Sequence, residues 1–358
     1  MQARQFRNAL LAAAGLMALS QAAWAAQPYY KVSIPPLSVV PGGMSYAGVI
    51  NNRGTTAIQS VAPNNYEDAY RCSTTVCKQI PRFPDNQFHD SVLAYGINDA
   101  GHVVGTASNH DLRRAFLFDG RTVKDLGVFD EGTCGGCDLV SYGAALNNVG
   151  QVVGTGSTAD LTERAFLWQN GHMTKLGTLG GVTSRARAIN DSGEVVGESS
   201  TYKGYTHAFS YSAGKMSDLG TLGGTHSYAT GINQWGHIVG CSSTAGDATQ
   251  LPFVIYSGGV MQPLKSLGGT IACAQSINRA GWIVGYSNIM PGQPDYHGFV
   301  YDGDQVYDLN DTLRDDDRAA WEIISASGIN KSGQIIVSAK SRLARDLYRA
   351  LVLTPIPR

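Results

Sequence analysis

Short apolar runs alternate along the chain with breaks centred on Asn and Gly, and the alternation is periodic. Its most regular block reads Ile97-Asn98-Asp99-Ala100-Gly101-His102-Val103-Val104-Gly105. The block returns at Leu146-Asn147, Ile189-Asn190, Ile232-Asn233 and Ile277-Asn278, with weaker copies at Ile50-Asn51 and Ile329-Asn330. The anchors Asn51, Asn98, Asn147, Asn190, Asn233, Asn278 and Asn330 stand 43 to 52 residues apart. A second block follows most anchors: Arg114-Ala115-Phe116-Leu117, Arg164-Ala165-Phe166-Leu167, His207-Ala208-Phe209 and His297-Gly298-Phe299. A third closes the unit, as in Leu176-Gly177-Thr178-Leu179-Gly180-Gly181 and Leu219-Gly220-Thr221-Leu222-Gly223-Gly224.

Runs this short, bounded by Gly and Asn, predict strands joined by tight turns. Strand one ends at Ile-Asn, an Asn-x-x-Gly turn leads into Val-Val-Gly as strand two, and Ala-Phe-Leu is strand three. A turn such as Asn170-Gly171 or Ala213-Gly214 then leads to strand four. Four strands in a unit of this length predict an all-β fold, a β-propeller of four-stranded blades. Small residues recur four places before each anchor and two places before every anchor but the first, for example Ala186 and Ala188 before Asn190. Strict alternation would put both on one face of an inner strand pressed by its neighbour. Arg114, Arg164, His207 and His297 each precede Ala-Phe or Gly-Phe, and Asp125, Lys175, Asp218 and Asp308 follow 11 places later. Three of these four pairs match in charge across a hairpin, so a structural use outweighs a catalytic one.

The last unit has a third strand, Ala350-Leu351-Val352-Leu353, and no fourth, whereas Tyr29-Tyr30-Lys31-Val32-Ser33-Ile34 is a strand before any anchor. If the second completes the first, seven anchors make seven four-stranded blades, with ring closure by the N-terminal strand. Closure removes exposed sheet edges.

Composition adds an address. Arg4 and Arg7 precede an Ala/Leu-rich stretch, Ala9 to Leu19, that ends at Ala23-Trp24-Ala25. This is the form of a signal peptide over residues 1–25, too short to span a bilayer. Residues 26–358 are then one propeller domain, with no membrane span in the mature chain. A formal net charge of −1 over 358 residues excludes a general nucleic-acid binder. All six cysteines follow the predicted cleavage site, an even number suited to an oxidising compartment. Cys72 and Cys77 flank one hairpin turn, Cys134 and Cys137 sit in a long loop, and Cys241 and Cys273 stand at strand ends of successive units. All six are disulfide candidates. Cys134-x-x-Cys137 lacks the helical setting of a redox motif.

Catalytic signatures are missing: no Gly-x-Ser-x-Gly, no His-Glu-x-x-His and no P-loop. The eight histidines are scattered, none at metal-ligand spacing, so neither metal nor cofactor is expected. Asp315-Asp316-Asp317 reads as a solvated turn, and Trp235, His237 and Trp282 share the anchor-turn side, where rim packing competes with sugar stacking. Bulky polar residues gather just before the anchors: Tyr142, Arg185, Arg187, His226 and Tyr228. Loops on a rigid scaffold carry function, so these five are the ligand-binding candidates.

The His207-Ala208-Phe209, Leu-Gly-Thr-Leu-Gly-Gly and Ile-Asn-x-x-Gly-x-Val-Val-Gly blocks resemble the HAF-repeat family of extracellular bacterial repeat proteins. The resemblance covers nearly the whole mature chain and implies a secreted protein of Gram-negative type, with no catalytic residues to carry over. Relatives often end in a Pro-Glu-Pro sorting signal. This chain ends Thr354-Pro355-Ile356-Pro357-Arg358, so release into the periplasm or medium is expected rather than anchoring. The expected function is a periplasmic or secreted, monomeric, non-catalytic scaffold for an extracellular carbohydrate or protein ligand. The alternative is a polysaccharide-active lyase or glycosidase on the same fold.

Overall fold

Each Asn-x-x-Gly segment folds as a tight turn because the anchor side chain replaces a backbone acceptor. Asn233 Oδ1 accepts the N–H groups of Trp235 and His237 at 2.9 and 3.0 Å, and Asn190 does the same for Ser192 and Glu194. The turn glycines, such as Gly101, Gly193 and Gly236, hold φ between 74 and 81°, where a side chain would be strained.

The computed structural model describes residues 27–36, 44–61, 67–83, 91–109, 112–129 and 139–357. The expected signal peptide and the Cys134 and Cys137 pair lie outside these residues. Within them the fold is all-β apart from a six-residue helix, Asp315–Ala320, and two 3-10 turns. Asp315, Asp316 and Asp317 thus open a helix rather than a solvated turn, and Asp317 Oδ2 accepts the Val32 N–H at 3.0 Å. Among the described residues no helix is long and apolar enough to cross a membrane.

Strands pair antiparallel in chain order within each repeat unit. In the fourth unit these are Gly180–Ile189, Val195–Thr201, Thr206–Ser212 and Lys215–Asp218. Single parallel bridges, Glu67 to Ser91 and Thr206 to His226, join some neighbouring units into longer sheets. The last unit holds Trp321–Ile329, Ile335–Ser341 and Tyr348–Pro355. Its fourth strand is the N-terminal Tyr30–Ser33, antiparallel to Tyr348–Pro355.

The core lies between units. Val103 packs in a cluster shared with Ala57 and Ile80 of the first unit, whereas Val104 packs with Leu146 and Phe166 of the third. Consecutive valines are therefore both buried, because each sheet is covered on both faces. Phe116, Phe166, Phe209, Phe253 and Phe299 of the third strands are fully buried. Each contributes roughly 1.5–3 kcal/mol relative to exposure.

The expectation that the small pre-anchor residues share one face is corrected by a β-bulge in every first strand. Pairing jumps from Ala186 to Ala188 on one strand while it moves by a single residue, Gly197 to Val196, on the other. The same shift recurs at Ala47/Val49, Ala94/Gly96, Gly143/Ala145, Ala229/Gly231, Ala274/Ser276 and Ala326/Gly328. A bulge reverses the alternation. A Cβ on Gly143 would strike Val104 of the preceding unit at 2.6 Å, whereas one on Gly96 would stand 3.0 Å from Ala145 Cα of the following unit. Both positions are small because neighbours press from opposite sides. The bulge also explains the glycine of Val-Val-Gly: a Cβ on Gly197 would lie 2.0 Å from the Arg185 carbonyl oxygen.

Polar stitches hold unit to unit. Ser184, buried, accepts the Ala165 N–H at 3.0 Å and donates to the Gly177 carbonyl at 2.6 Å, and Ser141 and Ser227 repeat this pattern. The anchors form a longer series. Asn51 Nδ2 donates to the Asn98 carbonyl at 2.8 Å, Asn98 to Asn147, Asn147 to Asn190 and Asn190 to Asn233. Asn233 then donates to Asn278, Asn278 to Asn330, and Asn330 to Asn51, where the series began. All seven asparagines are buried. The predicted Cys72–Cys77 bridge staples the hairpin of the first unit, and Cys241–Cys273 joins the fifth unit to the sixth.

Asn190→Ala should lower the free energy of unfolding by about 1–3 kcal/mol, since it removes the acceptor of the Ser192 and Glu194 N–H groups and one of the two bonds to the Asn233 carbonyl, which keeps the Gly236 N–H. Asn190→Asp retains the turn acceptor, but its carboxylate faces that carbonyl, and it should destabilise at neutral pH as well. Denaturant midpoints of the two variants check both outcomes.

Candidate functional site

The bulge residue of each first strand differs from unit to unit, although the Ala57 carbonyl keeps Gly48 small, and Thr230 and Ser327 donate to the Ala274 and Gly48 carbonyls of neighbouring units. In chain order the bulge residues are Gly48, Tyr95, Ala144, Arg187, Thr230, Gln275 and Ser327, and all seven line one cavity of ≈ 770 Å³. Gln59, Tyr142, Thr155, Glu163 and Arg185 line it too. Beyond the anchor asparagines a smaller cavity of ≈ 330 Å³ is edged by Asn52, Asp99, Asn148, Asp191, Gln234, Arg279 and Lys331. Much of that edge is already paired: Asp99 receives the Asn52 N–H and Nδ2 at 3.0 and 3.1 Å, and Asp191 does the same for Asn148.

Of the five sequence candidates, Tyr142, Arg185 and Arg187 meet at the larger cavity. Arg187 forms a forked pair with Glu198, Nε to Oε2 at 2.9 Å and Nη2 to Oε1 at 2.7 Å. Glu198 is buried at 4% exposure, while the Arg187 side chain remains half exposed. The fork holds the guanidinium pKa above its ordinary value. Arg185 binds Glu163 of the preceding unit through Nε at 2.6 Å. Tyr142 receives a hydrogen bond from Arg113 of the preceding unit at 3.1 Å, so Tyr142 and Arg185 also latch neighbouring units together. Tyr228 is half-buried and does not line the cavity, although its hydroxyl acts on Arg187 electrostatically. His226 is exposed and lies off the cavity wall, its backbone held by Ser242 and Ser243. The parallel bridge to Thr206 fixes it among the sheets instead.

Sequence reasoning missed Tyr95, Gln275, Glu163 and Glu198. The signal was present as a variable position between two small ones; the bulge that turns it into the cavity was not legible. Tyr95 is 43% exposed, and burial of its hydroxyl, then Glu67 and Tyr142, raise its pKa.

The matched hairpin pairs form: His207 Nδ1 lies 2.8 Å from Asp218, His297 Nδ1 bonds Asp308, and Arg114 stands 4.0 Å from Asp125. The bond to Asp308 raises the His297 pKa, with the charges of Asp308, Asp295 and Glu322 adding to it. Arg164, opposite the mismatched Lys175, instead donates to Thr162 and the Val182 carbonyl. Trp235 is 52% exposed, but Arg279 covers its ring at 5.1 Å and accepts its Nε1–H through the carbonyl. His237 packs edge-on against Tyr256, and Trp282 packs against the cluster around Tyr30. Rim packing accounts for these residues.

Arg187→Ala should lower stability by about 3 kcal/mol by stranding the buried Glu198 carboxylate. The double variant Arg187→Ala/Glu198→Gln should recover most of that loss. Thermal denaturation of the wild type and both variants decides the matter.

The comparisons with known proteins agree on fold. Residues 43–179 match a family described as Protein of unknown function (DUF3466). No curated protein matches the sequence. The β-propeller domain of the Trilobed protease from Pyrococcus furiosus, which has an open velcro topology, superposes with a TM-score of 0.56 at 7% identity. That match covers 88% of this chain and 98% of the other. A puromycin-hydrolyzing peptidase from Mycobacterium tuberculosis superposes with a TM-score of 0.55 at 11% identity. It covers 92% of this chain, which spans about half, 53%, of the peptidase. At such identities the likeness carries the fold alone, and that fold is of the β-propeller kind.

Proposed function

We propose that the chain is a seven-bladed β-propeller, closed by its N-terminal strand, that acts outside the cytoplasm as a non-catalytic ligand-binding scaffold. Closure is supported by the pairing of Tyr30–Ser33 with Tyr348–Pro355 and by the return of the asparagine series from Asn330 to Asn51. Two disulfides and the signal-like N-terminal sequence support the compartment.

One observation carries the binding reading. A frame that repeats its turns, valines and phenylalanines stops repeating at the bulge position, where Gly, Tyr, Ala, Arg, Thr, Gln and Ser face one cavity. Packing against the Ala57 carbonyl accounts for Gly48, and hydrogen bonds to neighbouring units account for Thr230 and Ser327; neither requires Tyr95 or Gln275, whereas recognition of an asymmetric ligand does. The cavity charges are paired, Arg185 with Glu163 and Arg187 with Glu198, and tyrosines flank them. Neutral, hydroxyl-rich ligands suit such a lining, since tyrosine faces stack on sugar rings and fixed forks bond hydroxyls. A short neutral oligosaccharide is therefore the ligand class we favour.

The enzyme reading is less well supported. Glycoside hydrolysis needs one carboxyl held protonated and another free, yet both glutamates here are committed to arginines. A lyase would want a tyrosine or histidine poised as base. The Tyr95 pKa is raised rather than lowered, and among the described residues no histidine lines the cavity.

A thermal-shift screen of the oxidised protein against neutral oligosaccharides should find a saturable ligand. At about 100 times its Kd such a ligand stabilises by roughly 2.7 kcal/mol. Tyr95→Ala and Gln275→Ala should weaken that ligand tenfold or more while altering stability by only about 0.5 kcal/mol. A flat screen, or a shift that survives both substitutions, would sink the proposal.

A further inference from the structure

His297 is the second residue of the third strand of the sixth unit, Tyr296–Tyr301, with Nδ1 against Asp308 on the adjoining fourth strand. That contact leaves Nε2 facing Glu322 Oε1 of the last unit at 3.8 Å. The other Glu322 oxygen stands 3.9 Å from Arg342 Nη1. Asp295 completes the group: one oxygen from each of Asp295 and Glu322 and one imidazole nitrogen lie within 4.8 Å of one another. The three ligand types are far apart or unremarkably spaced in sequence, and only the junction between two units brings them together.

The repeat provides an internal comparison. Arg114, Arg164 and His207 occupy the place of His297 in other units. The residues two places before them are Leu112, Thr162 and Tyr205, where the sixth unit has Asp295. A second bulge in the first strand of the last unit, at Ile323/Ser325, sets Glu322 opposite Lys340, the place that Val140, Thr183 and His226 hold in the other units. Arg114 and Arg164 reach the main-chain carbonyls of Leu139 and Val182. His207 keeps the same contact with its aspartate and has no carboxylate at either place. The hairpin pair and the junction therefore do not require Asp295 or Glu322.

We propose that Asp295, His297 and Glu322 bind one divalent ion of the zinc type, clamping the third strand of the sixth unit to the first strand of the last. Donors about 2.1 Å from a tetrahedral zinc ion stand roughly 3.4 Å apart, so the 3.8 Å separation of His297 and Glu322 needs only slight closing. Asp308 takes the role that carboxylates have behind metal-bound histidines, fixing the tautomer so that Nε2 carries the free lone pair. Arg342 steadies Glu322 from behind. The imidazole donor selects against calcium and magnesium, which take oxygen ligands. Three protein donors leave a fourth position for water.

The test uses untagged, oxidised protein stripped with EDTA and titrated with Zn²⁺ by calorimetry, then with Co²⁺ by absorption. One equivalent of Zn²⁺ should bind and raise the melting temperature, and Co²⁺ should show the visible bands of a low-coordinate site. His297→Ala, Glu322→Gln and Asp295→Asn should each weaken binding at least about tenfold, and Asp308→Asn by about 10–100-fold. His207→Ala, at the matching place without carboxylates, should leave binding unchanged. Should His297→Ala fail to fold, the two amide variants decide alone. No saturable single equivalent, or one unaffected by both Glu322→Gln and Asp295→Asn, would overturn the proposal and mean an adventitious surface ion only.

Discussion

A buried asparagine that accepts backbone N–H groups from its own turn and donates to the carbonyl of the next turn cannot serve one unit without holding its neighbour. Seven such residues, from Asn51 to Asn330, do this in series. Each is buried, so each bond left unmade would strand a polar group away from water. The rest of the frame follows from this constraint. The first strands must approach closely enough for the amides to reach, which forces small residues on both sides of the bulge, Val49 of the first unit excepted, and glycine opposite it. The first and last units depart from the glycine rule, with Ile58 and Val337 at the Val-Val-Gly position. In the first unit Gly48 takes over, since a Cβ there would stand 2.2 Å from the Ala57 carbonyl oxygen.

The bulge separates frame from site. Alternation alone would give every first-strand side chain to one neighbour or the other. One extra residue per strand faces the cavity instead, and Tyr95 and Gln275 show how far its identity can vary where no neighbour fixes it. The frame can stay repetitive while the cavity lining differs in every unit. The glutamates extend this logic: Glu198 and Glu163 position arginines on the cavity wall without leaving net charge there. Arg187 is thus both a latch on a buried carboxylate and a half-exposed cavity residue.

Much of the frame was legible in the sequence because it rests on local chemistry. Asn-x-x-Gly turns, adjacent valines and hairpin pairs such as His207 with Asp218 involve residues at fixed short spacings. Both disulfides among the described residues, Cys72–Cys77 and Cys241–Cys273, join cysteines that the sequence made candidates, although Cys241 lies in the middle of Ile238–Thr244 rather than at a strand end. The bulge was not legible, since a strand with one extra residue has the same composition as a regular one. Its consequences were misread accordingly: Ala186 and Ala188 face different neighbours, and His226 and Tyr228 fall off the cavity wall while Tyr95 and Gln275 fall on it. Contacts between units, such as Ser184 to Ala165 or Glu322 to His297, join residues whose sequence separation carries no pattern of its own.

The proposed ring is closed by the N-terminal strand and the Asn330 to Asn51 bond. Native-state hydrogen exchange tests it most directly. In a closed ring the amides of Tyr30–Ser33 that face Tyr348–Pro355 should exchange as slowly as those of Ile335–Ser341, through the same global opening. Fast exchange of the N-terminal strand, with Trp321–Ile329, Ile335–Ser341 and Tyr348–Pro355 still protected, would mean that the last unit stands without it and would contradict closure.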